Sequence, residues 1–315
     1  MPAGRDQCPV TVIVPTYNRS ASLRTAIRSV LRQTHRELRL VVVDDGSTDD
    51  SAAQIQSIAD PRLRLIRHGT NRGAAAARNT GLRAADTRYV AFLDSDDLWA
   101  ADKLERQLAF LEAAAPPVAA CATAHYVHRR PDAPAALRNA RLPSLGLPEI
   151  IDHDTLCLGS TLMVELACFA AVGEFDATLR RLEDWEWSLR FAARYALPVL
   201  PRPLAHVSVG TGRAIGDAVA ASAARIVALH AERFDRDAPE WGRRLRATAA
   251  WHTAYGFHVE GRLARAAWFG LEAIRLDPRR RLPALGRWLA RRCGLDRRDM
   301  AAATPSWREL EQRLA

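Results

Sequence analysis

The sequence predicts an α/β fold: a doubly wound, mostly parallel, Rossmann-like sheet followed by a C-terminal α-helical extension. Three observations carry this. Over the first hundred residues, β-branched runs alternate with segments of helical spacing, four times in succession, and strands alternating with helices pair in parallel. Three of the runs end in polar clusters, at the sheet edge where such folds bind ligands. From about residue 217 the pattern turns to helices rich in Ala, Arg and Trp.

VTVIVPT (10–16) is a continuous apolar run of the kind a buried strand needs, and Ser20-Ala21-Ser22 can cap a helix whose Leu23, Ala26, Ile27, Val30 and Leu31 recur at helical spacing. LRLVVVDD (38–45) reads as a second strand, with a helix over 48–58 capped by Ser47 or Thr48. RLRLIRH (62–68) follows the stop at Asp60-Pro61, and a helix runs from near Gly73 to near Ala85. YVAFLDSDDLW (89–99) is a strand that runs into three carboxylates, Asp94, Asp96 and Asp97, of which Asp97 is expected to cap a helix starting near Ala101. After Pro116-Pro117, residues 129–148 read as a loop, TLCLGSTLMV (155–164) as a strand, LEDWEWSLRFAARY (182–195) as a helix and PVLPRPLAHVSV (198–209) as a proline-interrupted strand. Gly210, Gly212 and Gly216 suggest a mobile loop, and GRLARAAWFGLEAIRLDP (261–278) a helix ended by proline. The expected division is 1–216 and 217–315. The later helices should pack on the first unit, with Trp241, Trp251, Trp268 and Trp288 between them.

At 315 residues with 48% apolar and 26% charged composition, the chain has an ordinary globular balance. Five scattered cysteines, Cys8, Cys121, Cys157, Cys168 and Cys293, give neither a disulfide framework nor zinc-ligand spacing and fit a reducing compartment. No signal core opens the chain and no apolar run nears the roughly 18 residues of a membrane span, so a soluble, cytoplasmic protein is expected. The net charge is +9, and residues 221–315 hold 19 Arg against 11 Asp and Glu. Lys103 is the only lysine. Uniform arginine use over an alanine-rich background argues against a nucleic-acid partner. A solvated face is the plain reading of the basic C-terminal region; peripheral contact with the inner face of a membrane is the alternative.

Three like charges at the end of a buried strand repel one another, so a positive group is expected to join them. A divalent cation, Mn²⁺ or Mg²⁺, suits hard carboxylate oxygens and usually shares them with phosphate and water. Pro15-Thr16-Tyr17, Asp44-Asp45-Gly46-Ser47 and Asp94-Ser95-Asp96 should meet at one sheet edge and form a site. Pro15 lacks a backbone donor, which suits the end of a strand.

Six segments in this order resemble the family 2 glycosyltransferases of GT-A fold: VTVIVPTYNR (10–19), AIRSVLRQT (26–34), VVVDDGSTDD (41–50), NRGAAAARNTG (71–81), YVAFLDSDDLW (89–99) and VGEFDATLRRLEDWEWSLR (172–190). They span about the first 210 residues, and the last hundred lie outside the likeness. The resemblance implies an inverting transfer of a sugar, of hexosyltransferase type, from a nucleotide-diphosphate sugar, UDP-linked by preference, to a carbohydrate, lipid-linked or small-molecule acceptor. It implies that Asp96 contacts the metal, that Asp94 serves the metal or the ribose, and that Ser95 belongs to the same donor cluster. Asp45 would accept a hydrogen bond from the base, with Thr16 and Tyr17 lining that pocket. Arg78 would line the donor site, although the alanines around it also suit plain helix packing. Asp184 would be the general base, since a carboxylate is ionised at neutral pH, while Glu183 suits the positive end of a helix. Trp185 could wall a sugar ring and Trp187 is expected in the core. His206 would be a further metal or diphosphate contact, and Arg213 either closes over the diphosphate or is solvated. The rival readings are a sugar nucleotidyltransferase, weakened by the lack of a Gly- and Lys-rich loop after the first strand, and a non-catalytic nucleotide-sugar or carbohydrate-binding module. No glycine fingerprint supports a dinucleotide oxidoreductase.

Overall fold

Long β-branched runs place the central strands, and glycine or proline ends them. The structure, a computed structural model, describes residues 10–115, 118–128, 135–152, 157–208, 215–292 and 305–314. In chain order its elements are β1 (Val10–Thr16), α1 (Leu23–Leu31), β2 (Leu38–Asp44), α2 (Ser51–Gln56), β3 (Leu63–Arg67), α3 (Ala74–Arg83), β4 (Tyr89–Phe92), β5 (Leu98–Trp99), α4 (Lys103–Ala113), β6 (Ala120–His128), β7 (Ala136–Arg138) and β8 (Ser144–Leu145). There follow α5 (Leu147–Asp152), α6 (Leu158–Thr161), β9 (Met163–Glu165), α7 (Cys168–Val172), α8 (Glu183–Ala192), β10 (Leu197–Ser208), α9 (Gly216–Asp237), α10 (Pro239–Val259), α11 (Leu263–Leu276), α12 (Pro278–Arg292) and α13 (Trp307–Leu314).

The strands form one sheet in the order β3-β2-β1-β4-β9-β6-β10-β5, with β7 on β6 and β8 on β10. β3, β2, β1 and β4 are parallel, whereas β9 is antiparallel to both β4 and β6. This is the GT-A arrangement. The order reverses between β1 and β4, which opens a crevice at their carboxyl ends. Alternate side chains leave opposite faces. Ile13, Val90 and Phe92 pack with Phe175 and Trp187, while Val12, Val14 and Ala91 pack with Ile27 and Leu104. Gly81 lets α3 lie close on β1, because a Cβ there would come within 2.4 Å of Ile13 Cγ2.

Several expectations need correction. Among its described residues, 157–164, the expected strand is not continuous: α6 turns first and β9 follows, because Ser160 and Thr161 are drawn into polar contacts with Asp97 and Cys157. Part of 129–148 is ordered as β7 and β8, paired with β6 and β10, with 129–134 outside the described residues. Ser47 and Thr48 do not cap α2. They bind Asn18 instead, whose backbone N–H donates to Ser47 Oγ at 2.9 Å and whose Oδ1 accepts from Thr48 N at 2.8 Å. Asp97 does not cap α4, which begins two turns of chain later with Asp102 at the cap position. Gly216 opens α9 rather than a loop, and Gly210, Gly212, Cys8, Cys293 and Arg213 lie outside the described residues.

Among the later tryptophans, Trp241 packs edge-on against Phe234 at 6.4 Å and Trp251 lies under the Arg281 guanidinium at 5.8 Å. Trp268 is not inter-helix core but 72% exposed, since α11 turns Phe269 and Ala273 inward instead. The Trp288 side chain lies outside the described residues. No helix among the described residues is long and apolar enough to cross a membrane.

Candidate functional site

A cavity of about 540 Å³ opens over the crevice between β1 and β4. The turns after three parallel strands build it. Pro15, Thr16 and Tyr17 follow from β1, Asp45 from β2, and Asp94 and Asp96 from the turn after β4. Arg78 enters from α3, and Arg180, Arg181 and Glu183 from the turn that starts α8. Val207 and Ser208 at the end of β10 also line it, as do Ile215 at the cap of α9, Ala218 of α9 and the exposed Val259 at the end of α10.

Asp45 is buried and saturated. It accepts from His68 Nδ1 at 2.7 Å and from the backbone N–H groups of Arg72 and Gly73 at 2.9 and 2.7 Å. The other ring nitrogen of His68, Nε2, lies 2.9 Å from the Thr80 hydroxyl. Gly73 has φ of 96°, a left-handed conformation that glycine adopts without strain, and Arg180 Nη1 lies where a side chain would begin. Beside Asp45, Thr16 Oγ1 is buried with no hydrogen-bond partner among the described residues. An unmatched buried hydroxyl on a cavity wall points to a ligand group.

Arg78 is the electrostatic centre. Its guanidinium is 4% exposed, lies 2.5 Å from Asp94 Oδ1 through Nη2, and pairs with Glu183 Oε1 through Nη1. Burial opposes its charge, but Asp94, Glu183 and Asp184 outweigh that and hold its pKa above the ordinary arginine value. Burial also pushes the Glu183 and Asp184 carboxyls up, with Arg78 opposing the rise in both. Gly159 permits this packing, since a Cβ there would meet Asp94 Oδ2 at 2.7 Å. Asp96 is paired with Arg19 Nη2 at 2.8 Å.

Asp97 turns away from its neighbours. Buried, it accepts from the Ser160 hydroxyl at 2.5 Å and from Ser208 N–H at 2.8 Å, so it ties the end of β10 to the acidic turn. Burial, then Asp94 and Asp96, raise its pKa well above the carboxylate range.

The structure therefore gathers Pro15, Thr16, Tyr17, Asp45, Arg78, Asp94 and Asp96 at one cavity. It leaves out three expected members, Ser95, His206 and Asp184. Ser95 is buried behind the turn, where its carbonyl accepts from the Ser22 hydroxyl at 2.9 Å and fixes α1. His206 is buried off the wall, with Nδ1 3.1 Å from His128 Nε2 and its ring stacked on Tyr126, and burial lowers its pKa to about 3. The end of β10 lines the cavity with Val207 and Ser208 instead. Asp184 is half-buried and lines a small recess next to the cavity, shared with Arg78, Gly159 and Trp187, while Glu183 forms the cavity wall itself. Trp185 is no sugar platform: it is fully buried and donates from Nε1 to the Ile150 carbonyl at 2.8 Å.

Arg19, Arg180, Arg181, Glu183 and Gly159 escaped the sequence reading as site residues. The Arg180-Arg181 doublet just before Glu183 was a visible signal. Leu182 between them holds a left-handed φ of 62°, a strained turn of the kind found at functional sites.

Five carboxylates line the cavity, Asp45, Asp94, Asp96, Asp97 and Glu183, of which Asp94 and Asp96 are the two the sequence offers to a metal, and among the described residues no group of three or more His, Cys, Asp or Glu is placed to hold a metal ion. Two carboxylates next to open cavity fit a hard divalent cation that takes its remaining ligands from phosphate and water, and do not fit a closed zinc site.

Residues 11–161 match the family profile described as Glycosyl transferase family 2. Over 106 residues the chain is 42% identical to a UDP-Glc:alpha-D-GlcNAc-diphosphoundecaprenol beta-1,3-glucosyltransferase, WfgD of Escherichia coli, a match covering 34% of this chain and 42% of that protein. It thus spans less than half the length of that relative. The fold is similar to S. aureus TarS, also solved with UDP-GlcNAc, at TM-score 0.63 and 20% identity over 96% of this chain and 55% of that one. It is similar also to a mannosyltransferase, PcManGT of Pyrobaculum calidifontis, solved with GDP-Man and Mn²⁺, at TM-score 0.57 and 22% identity over 99% and 88% of the two chains.

Proposed function

We propose, from the premise that residues 11–161 belong to glycosyl transferase family 2, that this chain is an inverting, metal-dependent glycosyltransferase that moves a hexose from a UDP-linked donor to a carbohydrate on a lipid carrier, in the assembly of a cell-surface polysaccharide. The observation that carries the reading is the convergence of Thr16, Asp45, Arg78, Asp94 and Asp96 from separate segments on one cavity. WfgD, whose name gives a UDP-linked donor and a diphosphoundecaprenol-linked acceptor, supports the choice of substrates. The place of action that follows is the cytoplasmic face of a membrane.

The nucleoside sits against Tyr17, with the buried Thr16 hydroxyl taking one of its polar groups, while Asp45, expected to accept from the base, is already satisfied by His68, Arg72 and Gly73 and shapes the pocket instead. Asp94 and Asp96 would hold the divalent cation, which when bound supplies Lewis-acid neutralisation of a diphosphate leaving group. Arg78 keeps Asp94 and Glu183 in place, and Arg180 and Arg181 line the same cavity and would face the same anion. Asp184 takes the proton of the acceptor hydroxyl at its carboxylate. The oxygen then bonds to the anomeric carbon from the far side, and the departing C–O electron pair stays with the diphosphate.

Because burial raises the Asp184 pKa, the acidic limb of the rate profile should lie above the ordinary carboxylate range, and activity should fall as pH drops through it. Asp184→Asn should keep donor-induced thermal stabilisation, lose about 10²–10⁴ in turnover and lose that limb. Glu183→Gln should retain it. Unchanged turnover in Asp184→Asn would remove the base assignment, and no stabilisation by any nucleotide diphosphate with Mn²⁺ would remove the enzyme reading.

A further inference from the structure

The exposed large apolar side chains among the described residues all lie between Leu229 and Leu282. Four of them, Leu263, Trp268, Leu271 and Leu282, are 63%, 72%, 68% and 54% exposed on α11 and α12. These helices are not loosely held. Phe269 stacks on Phe257 of α10 at 5.8 Å, Ala273 is fully buried, and Arg281 is buried over Trp251 and bonded to Thr248. One face of α11 is thus anchored while the other presents leucine and tryptophan to solvent. Between α10, α11 and α12 an apolar groove of about 430 Å³ runs past Tyr255, Leu263, Leu271 and Leu285.

The surrounding charge is one-sided. Residues 261–292 hold nine arginines against Glu272 and Asp277. Several are neutralised locally, Arg262 and Arg265 by Asp217 and Glu260, Arg275 by Glu272 and Arg280 by Asp152 and Asp277, and Arg281 is buried, but Arg279, Arg287, Arg291 and Arg292 of α12 leave a positive excess in the sequence of this helix. A second copy of this chain would bring the same excess face to face with itself, which opposes self-association. Nucleic acid offers no surface for exposed leucines. An anionic bilayer matches both features, for its interface accepts tryptophan and leucine while its headgroups attract arginine.

Position adds a further argument. In the last turn of α10, Tyr255 and His258 line the groove while the adjacent, exposed Val259 lines the main cavity. Whatever covers the groove therefore lies beside the cavity mouth.

We propose that the outward face of α11 and α12, with the groove behind it, is a peripheral docking surface for an anionic phospholipid membrane. It lies in the interface without crossing it and holds the mouth of the main cavity next to the lipid headgroups. The proposal does not depend on sugar transfer.

The test is co-sedimentation of the full chain with vesicles of phosphatidylcholine alone or mixed with phosphatidylglycerol. The expected result is binding to the mixed vesicles that weakens with salt. A Trp268→Ser/Leu271→Ser variant should bind at least about tenfold more weakly. Both positions are exposed, so the variant should keep the wild-type thermal transition and its stabilisation by nucleotide diphosphate with Mn²⁺. That second measurement separates failure here from failure of the catalytic reading. Equal binding to neutral vesicles, no binding to mixed vesicles, or undiminished binding by the variant would overturn the proposal. So would a wild-type dimer in solution that the variant dissolves, or binding that appears only when vesicles carry a polyprenyl phosphate, for these name other occupants.

Discussion

Arg78 shows how one buried cation sets the protonation of a whole site. Its guanidinium contacts Asp94 and Glu183 and acts through space on Asp184. Arg78→Met would leave these carboxylates crowded and uncompensated, and breaking such a pair typically costs about 3–5 kcal/mol. The loss must depend on pH. Without Arg78 the Glu183 and Asp184 pKa values, already raised by burial in the native state, rise further, so the native state binds more protons and stability falls as pH rises through that window. Denaturant melts of Arg78→Met should therefore approach wild type near pH 5 and fall furthest behind it near pH 8. A deficit that is flat with pH would mean that packing, not charge, is what Arg78 supplies. At this scale the sequence made the place of Asp45, Asp94 and Asp96 at the cavity legible, because carboxylates at the end of an apolar run have few other uses, while Arg78 was read only from the family resemblance. Ser95 and His206 misled because a residue's place at a strand end does not say which way its side chain turns. Glu183 looked like a helix-end carboxylate because its partner, Arg78, is 105 residues away.

Among the elements, α3 depends most closely on a missing side chain. Gly81 sits in mid-helix, where alanine would ordinarily gain about 1 kcal/mol. Here the new Cβ would overlap Ile13 Cγ2 on β1, and overpacking of this sort costs about 1–3 kcal/mol. Gly81→Ala should thus destabilise the wild type but be neutral or favourable in an Ile13→Ala background, where the obstruction is gone. Additive effects in that double-mutant cycle would show that the two elements are not in contact. The same helix carries Arg78, so a shift of α3 also displaces the site and should weaken donor binding. The parallel strands and their helices were legible because apolar runs of five to seven residues stand out between turn residues. The antiparallel half was harder to read. β5, β8 and β9 are two or three residues long, and α6 interrupts an apolar stretch that periodicity alone cannot distinguish from a strand.

For the molecule as a whole, the question is whether the helices after Gly216 form a separate unit. Sequence composition divides the chain there, but the packing does not. Ile226, Phe234 and Leu245 are buried in the same cluster as Trp185 and Trp187. Arg244 reaches Asp152 at 2.7 Å and the Pro148 carbonyl at 2.8 Å, and His230 lies 3.0 Å from Glu186 on α8. Full burial of three such side chains is worth about 1.5–3 kcal/mol each, comparable with the roughly 5–15 kcal/mol that hold a whole domain together. Removing α9 and α10 would expose that surface next to α8 and take Ile215, Ala218 and Val259 from the cavity lining. The full chain should therefore melt in a single calorimetric transition, with its calorimetric and van't Hoff enthalpies in agreement. A chain ended after Ser208 should aggregate or remain unfolded and show no stabilisation by nucleotide diphosphate. Two resolved transitions, or a truncated chain that folds and still binds donor, would make the helices an appendage and return the boundary to where the composition changes.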